Sequence, residues 1–169
     1  WFPQGLAYIA AALLKEGYEV EIYNQDVNHW PDEHLTRFLD ENKFDVIGVS
    51  IIAGYYQYRK LLKVSEAINM SKQRPFYIIG GHGPSPEPEF FIKKTQADVV
   101  VIGEGELIVV ELIKSLTSKT HLSDIKGITY RDGENIIINQ RRPLIEDIDT
   151  VPFPAYNLFP IEYYRLLRM

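Results

Sequence analysis

Three short apolar runs in this chain, Asp45–Ile52, Phe76–Ile79 and Asp98–Ile102, each give way to glycine: Gly54, Gly80-Gly81 and Gly103. That recurrence most constrains the fold. Continuous β-branched runs of this length, bounded by glycine, read as strands covered on both faces, as in the interior of a parallel sheet. Parallel neighbours must be joined by crossovers, and helical spacing supplies them. Tyr58, Leu61, Leu62, Ser65 and Ile68 predict a helix over Tyr55–Asn69, and Glu104–Leu116 predicts another. Upstream, Leu6–Glu16 is rich in Ala and Leu and is followed by Gly17, where a helix C-cap belongs. Glu19–Tyr23 alternates polar and apolar residues as a strand does. Pro31-Asp32 opens a helix that turns Leu35, Phe38 and Leu39 inward and ends near Asn42.

Strand and helix thus alternate from residue 6 to about 117, the pattern of an α/β, Rossmann-like, doubly wound parallel sheet. Arg131-Asp132-Gly133-Glu134 then separates two β-rich runs, 125–130 and 135–139, and Asp-Gly predicts an antiparallel edge hairpin within about 125–140. A doubly wound sheet normally starts with a central strand, whereas this chain starts with a helix. The sequence therefore predicts an unfilled slot between the strands at 19–23 and 45–50, with the first strand missing or supplied by another segment or chain. Strand exchange between two copies is one way to fill it.

The 169 residues, 46% of them hydrophobic, suffice for one well-buried domain, expected over 1–143. Pro152, Pro154 and Pro160 punctuate an aromatic stretch that is expected to preclude a regular element, so 144–169 is expected to be a linker toward a further domain. The opening Trp1-Phe2-Pro3-Gln4-Gly5 reads as a loop entering a helix, which suggests a piece of a longer protein. A net charge of -5 argues against nucleic acid or an anionic membrane as partner. With no cysteine, the chain has no thiol nucleophile and no thiolate with which to hold a metal or an iron–sulfur cluster. No apolar run approaches the roughly 20 residues that span a bilayer, and a cytoplasmic setting is expected.

Ligands of open α/β sheets bind beyond the carboxyl ends of the strands. Four glycine-containing loops are expected there. They contribute Gln4 and Gly5; Ser50, Ile52, Gly54 and Tyr55; Gly80, Gly81, His82 and Gly83; and Gly103, Glu104 and Gly105. Adjacent glycines at a strand end let a bulky ligand lie on bare backbone. His82 is read as a loop hydrogen-bonding residue, and His29, His34 and His121 as surface residues without metal spacing. Glu104 and Glu106 suit a helix start more than an acid/base pair. Tyr55 and Tyr56 are candidates for ligand contact, while Tyr58 has core spacing. Asp45 and Asp98 begin strands, on the far edge, and are expected to be structural. Gly-Gly-His-Gly-Pro does not match a dinucleotide fingerprint, and no P-loop lysine is present. No catalytic residue and no metal ligand is assigned.

Pro-Gln-Gly-Leu-Ala-Tyr-Ile-Ala-Ala from Pro3, Ile-Gly-Gly-His-Gly-Pro from Ile79, Val-Ile-Gly-Glu-Gly-Glu from Val101 and Pro-Phe-Pro-Ala-Tyr from Pro152 occur in that order. The set resembles the N-terminal half of cobalamin-dependent radical S-adenosylmethionine enzymes, which include anaerobic magnesium-protoporphyrin monomethyl ester cyclases and class B methyltransferases. The resemblance covers essentially the whole chain. It implies that Gly80 and Gly81 admit the nucleotide tail of a corrinoid, that Ser50 hydrogen-bonds in the tail pocket, that Gly5 lies near the lower corrin face, and that Gly103, Glu104 and Gly105 close the far side. It also implies S-adenosylmethionine and a [4Fe–4S] cluster in a separate radical domain, the expected partner with which methyl transfer or radical cyclisation would be carried out. Cobalamin domains with a histidine below cobalt carry Asp-x-His-x-x-Gly, whereas Trp1-Phe2-Pro3-Gln4 precedes Gly5 here. Cobalamin would then be bound base-off without a protein imidazole, its lower face meeting an apolar or aromatic surface such as Phe2, or water. Such coordination suits methyl transfer. The alternative is the same fold without cofactor, acting as a structural or interaction module.

Overall fold

The computed structural model describes residues 2–118 and 120–166; Trp1 and the last three residues of the expected linker lie outside them. Helices α1 (Gln4–Lys15), α2 (Gln25–Asn28) and α3 (Asp32–Glu41) precede the first strand, β1 (Val46–Ser50). Then α4 (Tyr55–Met70), β2 (Phe76–Gly80), α5 (Pro88–Thr95), β3 (Val99–Val101) and α6 (Gly105–Thr117) alternate as expected. The hairpin β4 (Ile128–Asp132) and β5 (Asn135–Ile138) and a short helix, α7 (Ile161–Leu166), complete the order.

The five strands lie in sequence order, β1-β2-β3-β4-β5. The first three are parallel, with Ser50 opposite Gly80 and Ile79 opposite Val100, and the hairpin adds antiparallel to β3. Alternation along the strands sends successive side chains to opposite faces. Ile79 and Val100 meet Leu35 and Leu39 of α3, Leu61 and Ile68 of α4 and Ile92 of α5 on one face. Ile78, Val99, Val101 and Ile128 meet Leu13 of α1 and Ile108 and Leu112 of α6 on the other. This is the doubly wound arrangement. It places the N-termini of α4 and α6 at the carboxyl edge of the sheet.

Two expectations are corrected. Residues 18–24 form no ladder, because no strand lies beside them; Val20 and Ile22 instead pack with Ala10, Ala11 and Ala155. β1 is an edge strand rather than a central one, and its pattern is half-exposed, with Gly48 and Ser50 open to solvent. Both follow from the same cause: the position between them holds no strand among the described residues.

Helix α5 was missing from the sequence expectations, although its signals are present: Pro88 in the first turn, Glu89 beside it, and Lys93 and Lys94 in the last turn. The run of prolines ahead of it masked its start. At the amino edge, Asp98 accepts from Arg74 Nη1 at 2.8 Å and from the Tyr77 amide at 2.7 Å, which fits the structural role expected of it. His34 is no simple surface residue. Its ring stacks on Trp30 at 4.3 Å, and its Nδ1 is 2.9 Å from the Tyr23 hydroxyl.

The proline-rich stretch contains a single 3-10 turn, Tyr156–Leu158, and folds back on α1. The Ala155 amide donates to Ala7 O at 3.0 Å, and Ala155 and Phe159 are buried.

Candidate functional site

Three of the four expected loops form one hydrogen-bonded unit at the carboxyl edge. The Ile51 amide donates to Gly80 O and the Gly83 amide to Ile51 O, both at 3.1 Å, which binds the β1 loop to the β2 loop. Ser85, a residue the sequence reading did not single out, ties the β2 loop to the third. Its Oγ donates to Gly81 O at 2.9 Å and receives the Gly103 amide at 3.3 Å. Gln4 and Gly5 stand apart: both are exposed at the start of α1, and no hydrogen bond among the described residues joins them to the other loops.

The glycines of this edge serve different ends. Gly81 sits at φ +98°, and a Cβ there would lie 2.5 Å from Ile51 O and 3.0 Å from Ser50 Oγ. Only glycine permits that closure. Gly105 lets α6 approach α1, since a Cβ would come 3.3 Å from Ile9 Cδ1. Gly54, at φ +144°, turns the chain into α4, and Gly83 packs on Ile51 and Ile52. Gly5, Gly48 and Gly103 are unlike these, because a carbon added at any of them would meet nothing within 4 Å.

Gly48 completes a feature invisible in the loop motifs. Ile47 and Val49 face the α3–α4 side, so Gly48 and Ser50 face the α1–α6 side with Val46. Gly48 pairs with Ile78, and Ser50 with Gly80, whose Cβ would be in ordinary contact with Val101 at 3.5 Å. On this face β1 therefore carries no side chain larger than a serine's between Val46 and the carboxyl edge, and Gly80 widens the shallow trough beyond Ile78. Its sequence signal is a glycine inside an apolar strand, which marks close approach of another group.

The remaining side chains divide between exposed and committed. Ile52, Tyr55 and Tyr56 are 55%, 76% and 82% exposed beside the trough's mouth, and His82 is exposed above the second loop. Tyr58 packs against Phe90 and Phe91 at 5.8 and 5.9 Å. Glu104 uses Oε2 to accept the Ile145 amide at 2.6 Å, so its carboxylate anchors the segment after the hairpin. Among the described residues no cluster of His, Asp and Glu could hold a metal ion, and no helix is long and apolar enough to cross a membrane.

Residues 1–113 match the family model described as the B12 binding domain. The chain belongs to that family. Among curated relatives of this B12-binding domain, an uncharacterized methyltransferase of Pyrococcus horikoshii is 28% identical over 96% of the chain and 35% of its own length. The anaerobic magnesium-protoporphyrin IX monomethyl ester cyclase of Cereibacter sphaeroides is 28% identical over 89% of the chain and 25% of its own length. The B12-binding domain thus spans about a third or less of these relatives. Among solved structures, the cobalamin-dependent S-adenosylmethionine radical enzyme OxsB with aqua-cobalamin bound superposes with a TM-score of 0.75. At 22% identity over 93% of this chain and 22% of that one, the superposition shows a shared fold.

Proposed function

We propose that this domain binds cobalamin at its carboxyl edge, with the nucleotide tail along the trough of Gly48, Ser50 and Gly80. The trough is the observation that carries the reading: a strip of sheet with no side chain larger than a serine's, in a chain of the B12-binding family, leading into a fixed set of loops. Ser50 Oγ offers a hydrogen-bonding group beside the strip. Gly103 and Gly5 leave room at the rim, and Ile52 and Tyr55 offer apolar surface to a flat ring system. The loops are tied to each other before any ligand arrives, so little ordering entropy would be lost on binding.

No histidine lies at the α1 entrance, and His82 is on the opposite loop. That placement supports binding without a protein imidazole, and a nucleotide tail drawn into the trough would make it base-off. When bound, a corrinoid supplies a cobalt centre that can accept and donate a methyl group. This chain's residues hold and orient it. The cysteine-free sequence has no thiolates for a cluster, so S-adenosylmethionine and [4Fe–4S] chemistry is assigned to a separate radical domain of the same protein. In this reading residues 1–143 are the cofactor-holding unit, and 144–169 join it to that partner.

The test is steric. Valine at position 48 favours a strand and its Cβ enters empty space, yet it fills the trough. The wild-type chain, incubated with hydroxocobalamin and desalted, is expected to retain corrin absorption. Gly48→Val is expected to keep the thermal midpoint and lose at least 90% of the retained cofactor, an order-of-magnitude effect for closing a bare-backbone site. Retention by both proteins would refute the trough, and retention by neither would favour a scaffold without cofactor.

A further inference from the structure

The segment after Pro154 lies beyond the 1–113 family match, but it closes around the entrance to α1. The Phe2 ring is met by Tyr156 at 5.2 Å, by Phe159 at 5.1 Å and by Tyr164 at 5.3 Å, the last two edge-on. Phe159 is only 6% exposed. Tyr164 is fixed in turn, because its hydroxyl accepts from Asn24 Nδ2 at 2.7 Å. Ala155 is pinned to Ala7 by the hydrogen bond already described. Rings 156, 159 and 164 touch neither central cluster of the sheet. Tyr156 also meets Phe153 and Tyr164 also meets Tyr163, but the partner all three rings share is Phe2, three positions ahead of Gly5, at the edge where the ligand would lie.

We infer that residues 155–164 are a working part of the corrinoid site: they clamp position 2 as a fixed hydrocarbon wall that gives cobalt no donor. The inference rests on cobalamin binding at this edge and adds a positioning role for a segment outside the family match. Aromatic pairs at these separations favour a defined ring orientation. A wall built this way excludes both a side-chain ligand and the mobility that would let water replace one. Tyr156, Phe159 and Tyr164 are positioning residues, acting through Phe2.

Replacing the wall by a donor makes its position readable. Phe2→His, loaded with hydroxocobalamin and reduced to the Co(II) form, should show nitrogen splitting in its electron paramagnetic resonance spectrum. With 15N-labelled histidine in the protein that splitting should change from three lines to two, which separates imidazole from the cofactor's own base. Wild type, which contains His82, should show no label-dependent splitting. Adding Phe159→Ala to Phe2→His should abolish the label-dependent signal while corrin absorption is retained. Tyr156→Leu, at a half-buried position, makes the same test if the first double variant fails to fold.

Loaded Phe2→His without label-dependent splitting would overturn the placement of residue 2. A signal that survives loss of the aromatic partners would overturn the clamp. Failure of wild type to retain any corrinoid would instead remove the cobalamin reading on which the inference rests.

Discussion

Gly48 and Gly81 are glycines for opposite reasons, and the difference decides which substitution is informative. At Gly81 the backbone itself forbids a side chain, through φ +98° and the approach of Ile51 O. Gly81→Ala is therefore expected to destabilise the domain by about 2 kcal/mol, from left-handed strain alone, with any clash adding to it. Urea denaturation without cofactor would measure this; an unchanged midpoint would refute the loop closure. At Gly48 an added Cβ meets nothing within 4 Å, so loss of cofactor without loss of stability there is the mark of a ligand. The motif showed that Gly80-Gly81 ends a strand, but not that its second residue is consumed by the neighbouring loop. Ser85 and Gly48 lay outside the motifs because each acquires its role from a segment distant in sequence.

Tyr77 shows how an element is fixed from below. Strand β2 carries it fully buried, with its hydroxyl 2.8 Å from Ser65 Oγ on α4, and Ser65 in turn donates to Leu61 O at 2.7 Å. Burial pushes the Tyr77 hydroxyl up to about 12, and burial together with Asp32 pushes Tyr23 up to about 12. Both groups fold in the neutral form, so their contribution is fully present below the unfolded value near 10 and falls as pH rises from 10 toward 12. Tyr77→Phe should cost about 1 kcal/mol near neutrality through the lost hydrogen bond. It should also shallow the alkaline loss of stability. Denaturant titrations at neutral and alkaline pH would show both, and an unchanged alkaline slope would contradict the burial argument. Helix α4 and strand β2 were each legible in periodicity and composition, whereas α5 was hidden because proline reads first as a breaker.

Among the described residues the open sheet has two unpaired edges, β1 and β5, of which β1 belongs to the parallel part. β1 bonds only to β2, and the extended segment 18–24 has no ladder of its own. Exposed strand edges template pairing with another chain. The isolated domain is expected to dimerise with rising concentration, and amide exchange in β1 should slow as it does so. Light scattering across a dilution series, with exchange followed in parallel, would check this. A monomer at every concentration, with equally protected β1 and β2, would sink it.

Local sequence determined what local physics can determine: most of the strands and helices, that Asp132-Gly133 turns a hairpin, and that three of the four glycine loops meet at one edge. Periodicity and turn chemistry are written in neighbouring residues, and the order of motifs was enough to place the chain in its family. Tertiary structure alone decided that 19–23 does not become a strand, because a strand exists only through a partner. It decided that Gly48 opens a trough, because an empty face depends on what does not pack there. It also decided that Tyr156, Phe159 and Tyr164 return to enclose Phe2, because contacts across some 150 residues leave no local trace.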